Sequence, residues 1–91
     1  MDIVVRCTGV TDEETFWQAF LDAAQPDGAA NFGRNFDAFR DAILGGGPGW
    51  PREHVLQFVD FESLRAIDGG RLCVALEDLA AESHYVTIRF Q

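Results

Sequence analysis

The sequence predicts a small α/β domain in which helices connect three parallel strands. Three short runs rich in β-branched and aromatic residues, at positions 3–5, 54–59 and 86–90, are typical of strands. Segments with apolar residues at helical spacing separate these runs, so the predicted element order is β-α-α-β-α-α-β. Strands that alternate with helices indicate a small three-stranded parallel sheet with helices packed around it. With 91 residues, the chain is expected to form a single domain over residues 1–91.

The first part of the chain supplies one strand and one helix. Ile3-Val4-Val5 is a continuous apolar run, which predicts a strand covered on both faces of the sheet. Thr11 and Glu14 have the spacing of a capping box, so a helix is expected over about residues 12–24. A loop that contains proline and glycine follows at residues 25–34.

A second helix is predicted after Asn35, which is a favourable N-cap residue. Its apolar stripe consists of Phe36, Phe39, Ala42 and Ile43. The helix is expected to end at Gly45, because the glycine-rich run at residues 45–49 cannot continue it.

The rest of the chain is predicted to hold two strands and another long helix. His54–Val59 predicts the second strand, and Phe61–Ala66 predicts a short helical turn. The Gly69-Gly70 pair then interrupts the chain before a helix at Arg71–Glu82. Val86–Phe90 alternates between apolar and polar residues, as expected for an edge or half-exposed strand.

The charge balance favours a basic protein as the partner. Fifteen Asp and Glu residues stand against seven basic residues, all of them arginine, for a net charge of −8. Such a surface repels nucleic acids and anionic membranes and attracts a basic partner with fast, salt-sensitive association. We therefore expect a protein partner, no nucleic acid and no membrane; acidity that serves only solubility is the alternative.

The sequence indicates no catalytic group, metal site or cofactor. His54 and His84 are isolated, no glycine-rich phosphate-binding motif is present, and no serine has a triad-like context. Cys7 and Cys73 form no CxxC pair, which favours free, buried thiols in a reducing compartment and leaves a disulfide between them open. No apolar run approaches the roughly 18 residues needed to span a bilayer, so a soluble, cytoplasmic protein is expected.

The second predicted helix carries two acids on one face. Asp37 and Asp41 are four residues apart, so their like charges repel each other. The helix dipole favours Asp37 in the first turn but disfavours Asp41 near the C-terminal end. With a glycine-bearing loop on each side, this face is predicted to be a binding surface. The alternative is that both aspartates are merely solvated surface acids.

The segment Asn31–Ile43, NFGRNFDAFRDAI, resembles the start of the second helix in the barstar family of ribonuclease inhibitors. The family pattern, aromatic-Gly-x-Asn-apolar-Asp-Ala-apolar-x-Asp-x-apolar, is matched by Phe32, Gly33, Asn35, Asp37, Ala38 and Asp41. The element order and the final strand, Val86-Thr87-Ile88, are similar as well. The resemblance implies an inhibitor that inserts this helix and its preceding loop into the active site of a basic microbial ribonuclease, where its acids replace substrate phosphates.

The resemblance also implies roles for single residues. Asp41 is expected to be the central anchor at the phosphate site of the enzyme, and Asp37 the second charge. Asn31 and Arg40 are departures, because the family prototype has an aromatic residue at the first position and tryptophan at the second. The expected partner-binding set is Asn31, Phe32, Gly33, Asn35, Asp37, Arg40, Asp41, Leu44, Gly45, Asp78 and Glu82.

Two other classes of function are alternatives to this hypothesis. Paired carboxylates can catalyse acid–base reactions, but they need a cleft, which one exposed helix face does not form. An immunity or interaction protein for a different basic toxin or partner, or an acidic mimic of nucleic acid, would suit the departures at Asn31 and Arg40. In either case we expect a monomer when free and an extracellular or toxin protein as the target. Trp50 is expected in the core, and a role as a contact residue is the alternative.

Overall fold

The fold is built on one three-stranded sheet, in a computed structural model that describes residues 2–52 and 55–91. The strands are β1 (Asp2–Arg6), β2 (Val55–Val59) and β3 (Thr87–Phe90). β2 pairs in parallel with both neighbours, so the spatial order is β1-β2-β3. The predicted small parallel sheet with helices between its strands is therefore confirmed.

The connections between the strands contain three α-helices. These are α1 (Glu13–Ala24), α2 (Phe36–Gly45) and α3 (Arg71–Glu82). A 3₁₀ turn at Ala29–Asn31 precedes α2, and a kinked 3₁₀ segment at Phe61–Gly70 precedes α3. The first helix predicted in the second connection is thus a 3₁₀ segment, while the bounds predicted for α2 and α3 agree with the structure.

The helices cover only one face of the sheet. Along β1, side chains alternate, with Ile3 and Val5 buried and Val4 39% exposed. β2 and β3 show the same alternation. The prediction of a first strand covered on both faces was therefore wrong, because a β-branched residue such as Val4 also suits the open face of a half-covered strand. His54, predicted as the start of the second strand, lies outside the described residues.

The capping box of α1 is one residue later than predicted. The N-cap is Asp12, whose carboxylate accepts a hydrogen bond from Thr15 N at 2.8 Å, while Asp12 N donates to Thr15 Oγ1 at 3.4 Å. The Thr15 hydroxyl also donates to the Asp12 carboxylate, and this hydrogen bond lowers the pKa of Asp12. The Thr11–Glu14 box was wrong because the aspartate, which is the stronger acceptor, takes the cap position.

Aromatic rings join α1 to α2. Phe16, Trp17 and Phe20 are fully buried on α1. The Phe39 ring on α2 lies 5.4 Å from the Trp17 ring and 5.0 Å from the Phe20 ring. Because aromatic pairs bury large areas in specific geometries, these contacts fix the position of α2 against the body of the protein.

The two cysteines are free and buried, as the sequence predicted. Burial raises the pKa of the Cys7 thiol to about 12 and also raises the pKa of Cys73. Both thiols are consequently neutral and act as small apolar core residues.

No helix within residues 2–52 and 55–91 is long and apolar enough to cross a membrane.

Candidate functional site

The start of α2 is shaped by residues of the barstar-like pattern. The side-chain oxygen of Asn35 accepts a hydrogen bond from Ala38 N at 2.8 Å, and Asn35 Nδ2 donates to Gly33 O at 3.1 Å. A Cβ on Gly33 would lie 3.1 Å from Ala38 Cβ, so glycine lets the loop approach the helix closely. Gly33, Asn35 and Ala38 therefore build the helix start, and both polar groups of the Asn35 amide are engaged within the chain.

Phe32 fixes the loop that precedes α2. Its side chain is 6% exposed, and its ring lies 5.7 Å from the rings of both Trp17 and Phe20. A Cβ on Gly49 would lie 2.6 Å from Phe32 Cδ1, so the loop after α2 packs directly on this ring. Phe32 was expected at the contact surface, but the structure places it in the core, where it supports both loops.

The loops on the two sides of α2 are also linked by polar contacts. Gly49 N donates a hydrogen bond to Asp27 O at 2.9 Å. The Arg52 guanidinium lies 2.9 Å from the Asp27 carboxylate, and its hydrogen bond lowers the pKa of that carboxyl group. α2 therefore projects from a joined pair of loops rather than from two independent ones.

Asp37 and Asp41 take no part in these internal contacts. Both side chains are exposed on α2, Asp37 in the first turn and Asp41 one turn later, so they project from the same side. Neither forms an ion pair or a side-chain hydrogen bond with another residue in the described parts of the chain. No described side chain therefore competes with an external cation for these two carboxylates.

Arg40 and Glu82, both expected to contact a partner, contact each other. Arg40 Nη2 lies 2.8 Å from Glu82 Oε2, and this pair links α2 to α3. The two side chains border a groove of about 290 Å³ that is also lined by Phe36, Ala75, Asp78 and Leu79. The charge of Arg40, which would repel a basic partner, is therefore balanced within the chain.

The remaining expected contact residues lie at the ends of α2. Asn31 is exposed at the end of the 3₁₀ turn that precedes the helix. Leu44 and Gly45 are its last two residues, with Leu44 half-buried and Gly45 exposed. The structure thus places Asp37, Asp41, Leu44 and Gly45 on α2 and Asn31 in the turn before it, while Asp78 and Glu82 lie on the neighbouring α3.

The sequence prediction missed a groove at the C-terminal end of α2, which includes Trp50 and Tyr85. Tyr85 is 63% exposed. Trp50, expected in the core, is half-buried: it packs against core residues and also lines this groove. The sequence signals were Trp50, for which a contact role was the alternative, and an aromatic residue before the last strand, which by itself indicates no site.

Within the described ranges, no cluster of three or more His, Cys, Asp or Glu residues is arranged to hold a metal ion. Together with the exposed acids of α2, the fold defines a small α/β protein with an acidic helical surface suited to binding a cationic partner.

Comparison with known protein families agrees with this class. A family model described as Barstar (barnase inhibitor) matches residues 1–89. The chain belongs to the barstar family. A comparison with curated proteins gives no match.

Proposed function

We propose that this protein inhibits a basic microbial ribonuclease of the barnase type by inserting α2 and its preceding loop into the active site of the enzyme. In this proposal Asp41 is the central anchor and Asp37 the second charge, and both replace substrate phosphates. The target is an extracellular or toxin ribonuclease, and the inhibitor is a cytoplasmic monomer when free. The match to a family described as barnase inhibitors supports the proposal.

One observation carries the proposal: the residues of the barstar-like pattern divide into two groups. Phe32, Gly33 and Asn35 are engaged in core packing or in the helix cap. Asp37 and Asp41 are exposed and have no polar partner among the described residues. Two like charges on one helix face lower the stability of the free protein slightly, so their presence is explained by binding rather than by folding.

The chemistry of these two acids fits the active site of a ribonuclease. An enzyme that cleaves RNA binds phosphate groups with cationic side chains. Carboxylates accept short, charge-assisted hydrogen bonds from guanidinium and ammonium groups, and arginine can bind both oxygens at once. Two carboxylates one helical turn apart can therefore occupy positions that phosphates of the substrate would take.

The test is inhibition of RNA cleavage by a panel of purified barnase-type ribonucleases, titrated with this protein. We expect stoichiometric inhibition of at least one member. Asp41→Ala should weaken binding by roughly 30-fold or more, as for a central interface residue. Because the Asp41 side chain forms no ion pair or hydrogen bond with the described residues, the same change should alter the free energy of unfolding by less than about 0.5 kcal/mol.

Asp22→Ala is the matched control, since Asp22 is an exposed acid on α1 and its removal changes the net charge equally. It should leave the affinity nearly unchanged. If Asp41→Ala reduced stability and binding by equal amounts, Asp41 would be a structural residue and the proposed anchor would be wrong.

A second candidate is an immunity or interaction protein that binds a different basic toxin or partner. It is favoured by Arg40, which pairs with Glu82 instead of presenting an aromatic ring, and by the polar, exposed Asn31. Absence of inhibition across the ribonuclease panel, together with salt-sensitive binding to a basic toxin of another activity, would support this candidate over the first.

A further inference from the structure

A groove of about 250 Å³ lies at the C-terminal end of α2 and is separate from the groove between α2 and α3. We refer to it as the aromatic groove; it is lined by Leu44, Gly45, Gly46, Trp50 and Tyr85. None of these side chains is charged, so the groove offers apolar and aromatic surface directly beside an acidic helix.

The two aromatic rings of this groove, unlike the rings in the core, do not pack against other aromatic rings of the described chain. Tyr85 is 63% exposed, and neither Tyr85 nor Trp50 packs against another aromatic ring within the described residues. The described cation–π contact joins Arg65 to Phe61 and leaves both groove rings without a cation from the described chain. Half-exposed tryptophan and tyrosine rings are the side chains that contribute most to protein interfaces.

Gly45 leaves one side of the groove without a side chain, although its backbone conformation does not require glycine. It is the last residue of α2 and has no positive φ, unlike Gly46 with a φ of 74°. A Cβ on Gly45 would meet nothing within 4 Å. Glycine is a poor helix former, so helix stability does not account for glycine at this position. Its missing side chain does leave space for an occupant of the groove.

A negative charge lies on the same side of α2 as two residues of the groove. Asp41 precedes Leu44 and Gly45 by three and four residues on the same helix, so the three residues share one side of that helix. Asp41 has no ion-pair partner in the parts of the chain that the structure describes. An occupant that combines an apolar stem with a positive head matches both the rings and the acid.

We propose that the aromatic groove binds one arginine or lysine side chain of the partner protein. Its aliphatic stem lies against Trp50 and Tyr85, and its charged head is directed toward Asp41. Lysine and arginine bury their stems on apolar surface while the head remains polar, and cations are attracted to the faces of aromatic rings. This inference rests on the proposed function for the basic nature of the partner, and the net charge of −8 is complementary to it.

A small probe tests the groove without any enzyme. Two tryptophans give two indole N–H resonances, and Trp17, which is fully buried, serves as the internal control for Trp50. Titration with N-acetyl-arginine amide should shift the resonances of Trp50 and Tyr85 but not that of Trp17. The uncharged N-acetyl-citrulline amide should give shifts at least about threefold smaller, because it lacks the cation.

Two variants make the probe experiment decisive. Gly45→Gln places a side chain in the groove and should abolish the shifts, without lowering the unfolding midpoint because glutamine is the better helix former. Asp41→Asn should reduce the shifts produced by the arginine probe. Equal shifts with both probes, or shifts that persist in Gly45→Gln, would overturn the proposal.

An inhibited ribonuclease provides the second test. Tyr85→Ala should weaken its binding about tenfold, mainly through faster dissociation, whereas Tyr85→Phe keeps the ring and should retain most of the affinity. If Asp41→Ala abolished inhibition and Tyr85→Ala had no effect, the groove would be excluded as a binding site for the partner, and the inhibitor function would be supported. If no ribonuclease were inhibited while the arginine probe still bound, the inhibitor function would be wrong and the groove would be supported as a site for a cationic side chain.

Discussion

At the scale of single residues, Gly49 holds the two loops around α2 together. Its φ of 99° is unfavourable for any side chain, and a Cβ there would lie 2.6 Å from Phe32 Cδ1. We predict that Gly49→Ala lowers the free energy of unfolding by about 3 kcal/mol, through combined backbone strain and displacement of the Phe32 ring. Chemical denaturation of the purified variant measures this change.

Gly69→Ala is the control for backbone strain alone. Gly69 also has a positive φ, of 64°, but a Cβ there would meet nothing within 4 Å. Its substitution should cost only about 1 kcal/mol. Equal losses for the two variants would show that the contact with Phe32 contributes nothing.

A second residue-scale prediction concerns pH. A hydrogen bond with Asp68 is the largest cause that raises the pKa of Glu13, and burial adds to it. Because the folded pKa is raised, the stability from this contact is present below the ordinary value of 4.5 and is lost as pH rises through the folded value. At pH 7 the carboxylates of Glu13 and Asp68 repel each other. Glu13→Gln removes this repulsion and should therefore raise the free energy of unfolding at pH 7 by roughly 0.5 kcal/mol.

The free energy of unfolding of the unsubstituted protein and of Glu13→Gln, measured across the acidic pH range, tests the direction of this effect. The advantage of Glu13→Gln should shrink as the pH falls through the raised folded pKa of Glu13 and should be small once the pH reaches 4.5, the ordinary value for this group. Glu14→Gln, at the neighbouring exposed acid, is the control for the loss of one negative charge at the start of α1. An advantage that grows toward low pH would contradict the assignment.

The predictable part of the site is its two acids. Helical periodicity alone places Asp37 and Asp41 on one face, because residues four apart are neighbours on any helix. The burial of Phe32 could not be predicted, since the pattern around Gly33 does not say which way the preceding ring points. Tyr85 was not predicted, and the choice between core and contact for Trp50 was open, because the proximity of the two rings depends on how the loop after α2 meets the start of β3.

At the scale of elements, the Arg40–Glu82 pair connects α2 to α3. The two side chains are 45% and 52% exposed, and exposed pairs of this kind contribute only about 0.2–1 kcal/mol. We predict that Arg40→Ala changes the free energy of unfolding by less than about 1 kcal/mol. It should nevertheless accelerate association with a basic partner, because it removes a positive charge near Asp37 and Asp41 and frees Glu82. Stopped-flow mixing with the inhibited ribonuclease measures the rate.

Arg71→Ala makes the same change in net charge at the start of α3. Arg71 is exposed and has no ion pair within residues 2–52 and 55–91, so it controls for a nonspecific effect of charge. Slower association of Arg40→Ala than of Arg71→Ala would mean that Arg40 itself contacts the partner.

Element boundaries were predictable where a cap is unambiguous. Asn35 before α2 and the glycines after it fix both ends of the helix, as predicted. At α1 two overlapping capping boxes compete, Thr11–Glu14 and Asp12–Thr15, and the choice depends on local hydrogen bonds. Whether β1 is covered on one face or both cannot be derived from three apolar residues, because the answer depends on where the helices pack.

At the scale of the whole molecule, the ion pairs of the described chain leave the two acids of α2 unneutralised. In the described chain Arg40, Arg52 and Arg65 form ion pairs with acids outside Asp37 and Asp41. The net charge of −8 therefore acts at long range, while the carboxylates of α2 stay available for close contact. This arrangement favours rapid encounter with a cationic partner and then pairing in a defined orientation.

The resulting prediction is that association with the inhibited ribonuclease depends strongly on ionic strength, whereas dissociation depends on it weakly. The screening length is about 10 Å at 0.1 M salt and about 3 Å at 1 M, so long-range attraction is largely lost over this range. We expect the association rate constant to fall about tenfold or more over this range. Asp41→Asn should reduce the salt dependence more than Asp22→Asn does, because in the proposed complex Asp41 faces the partner. An association rate independent of salt would mean that the acidic surface does not steer the encounter, and the two aspartates would then act only at contact.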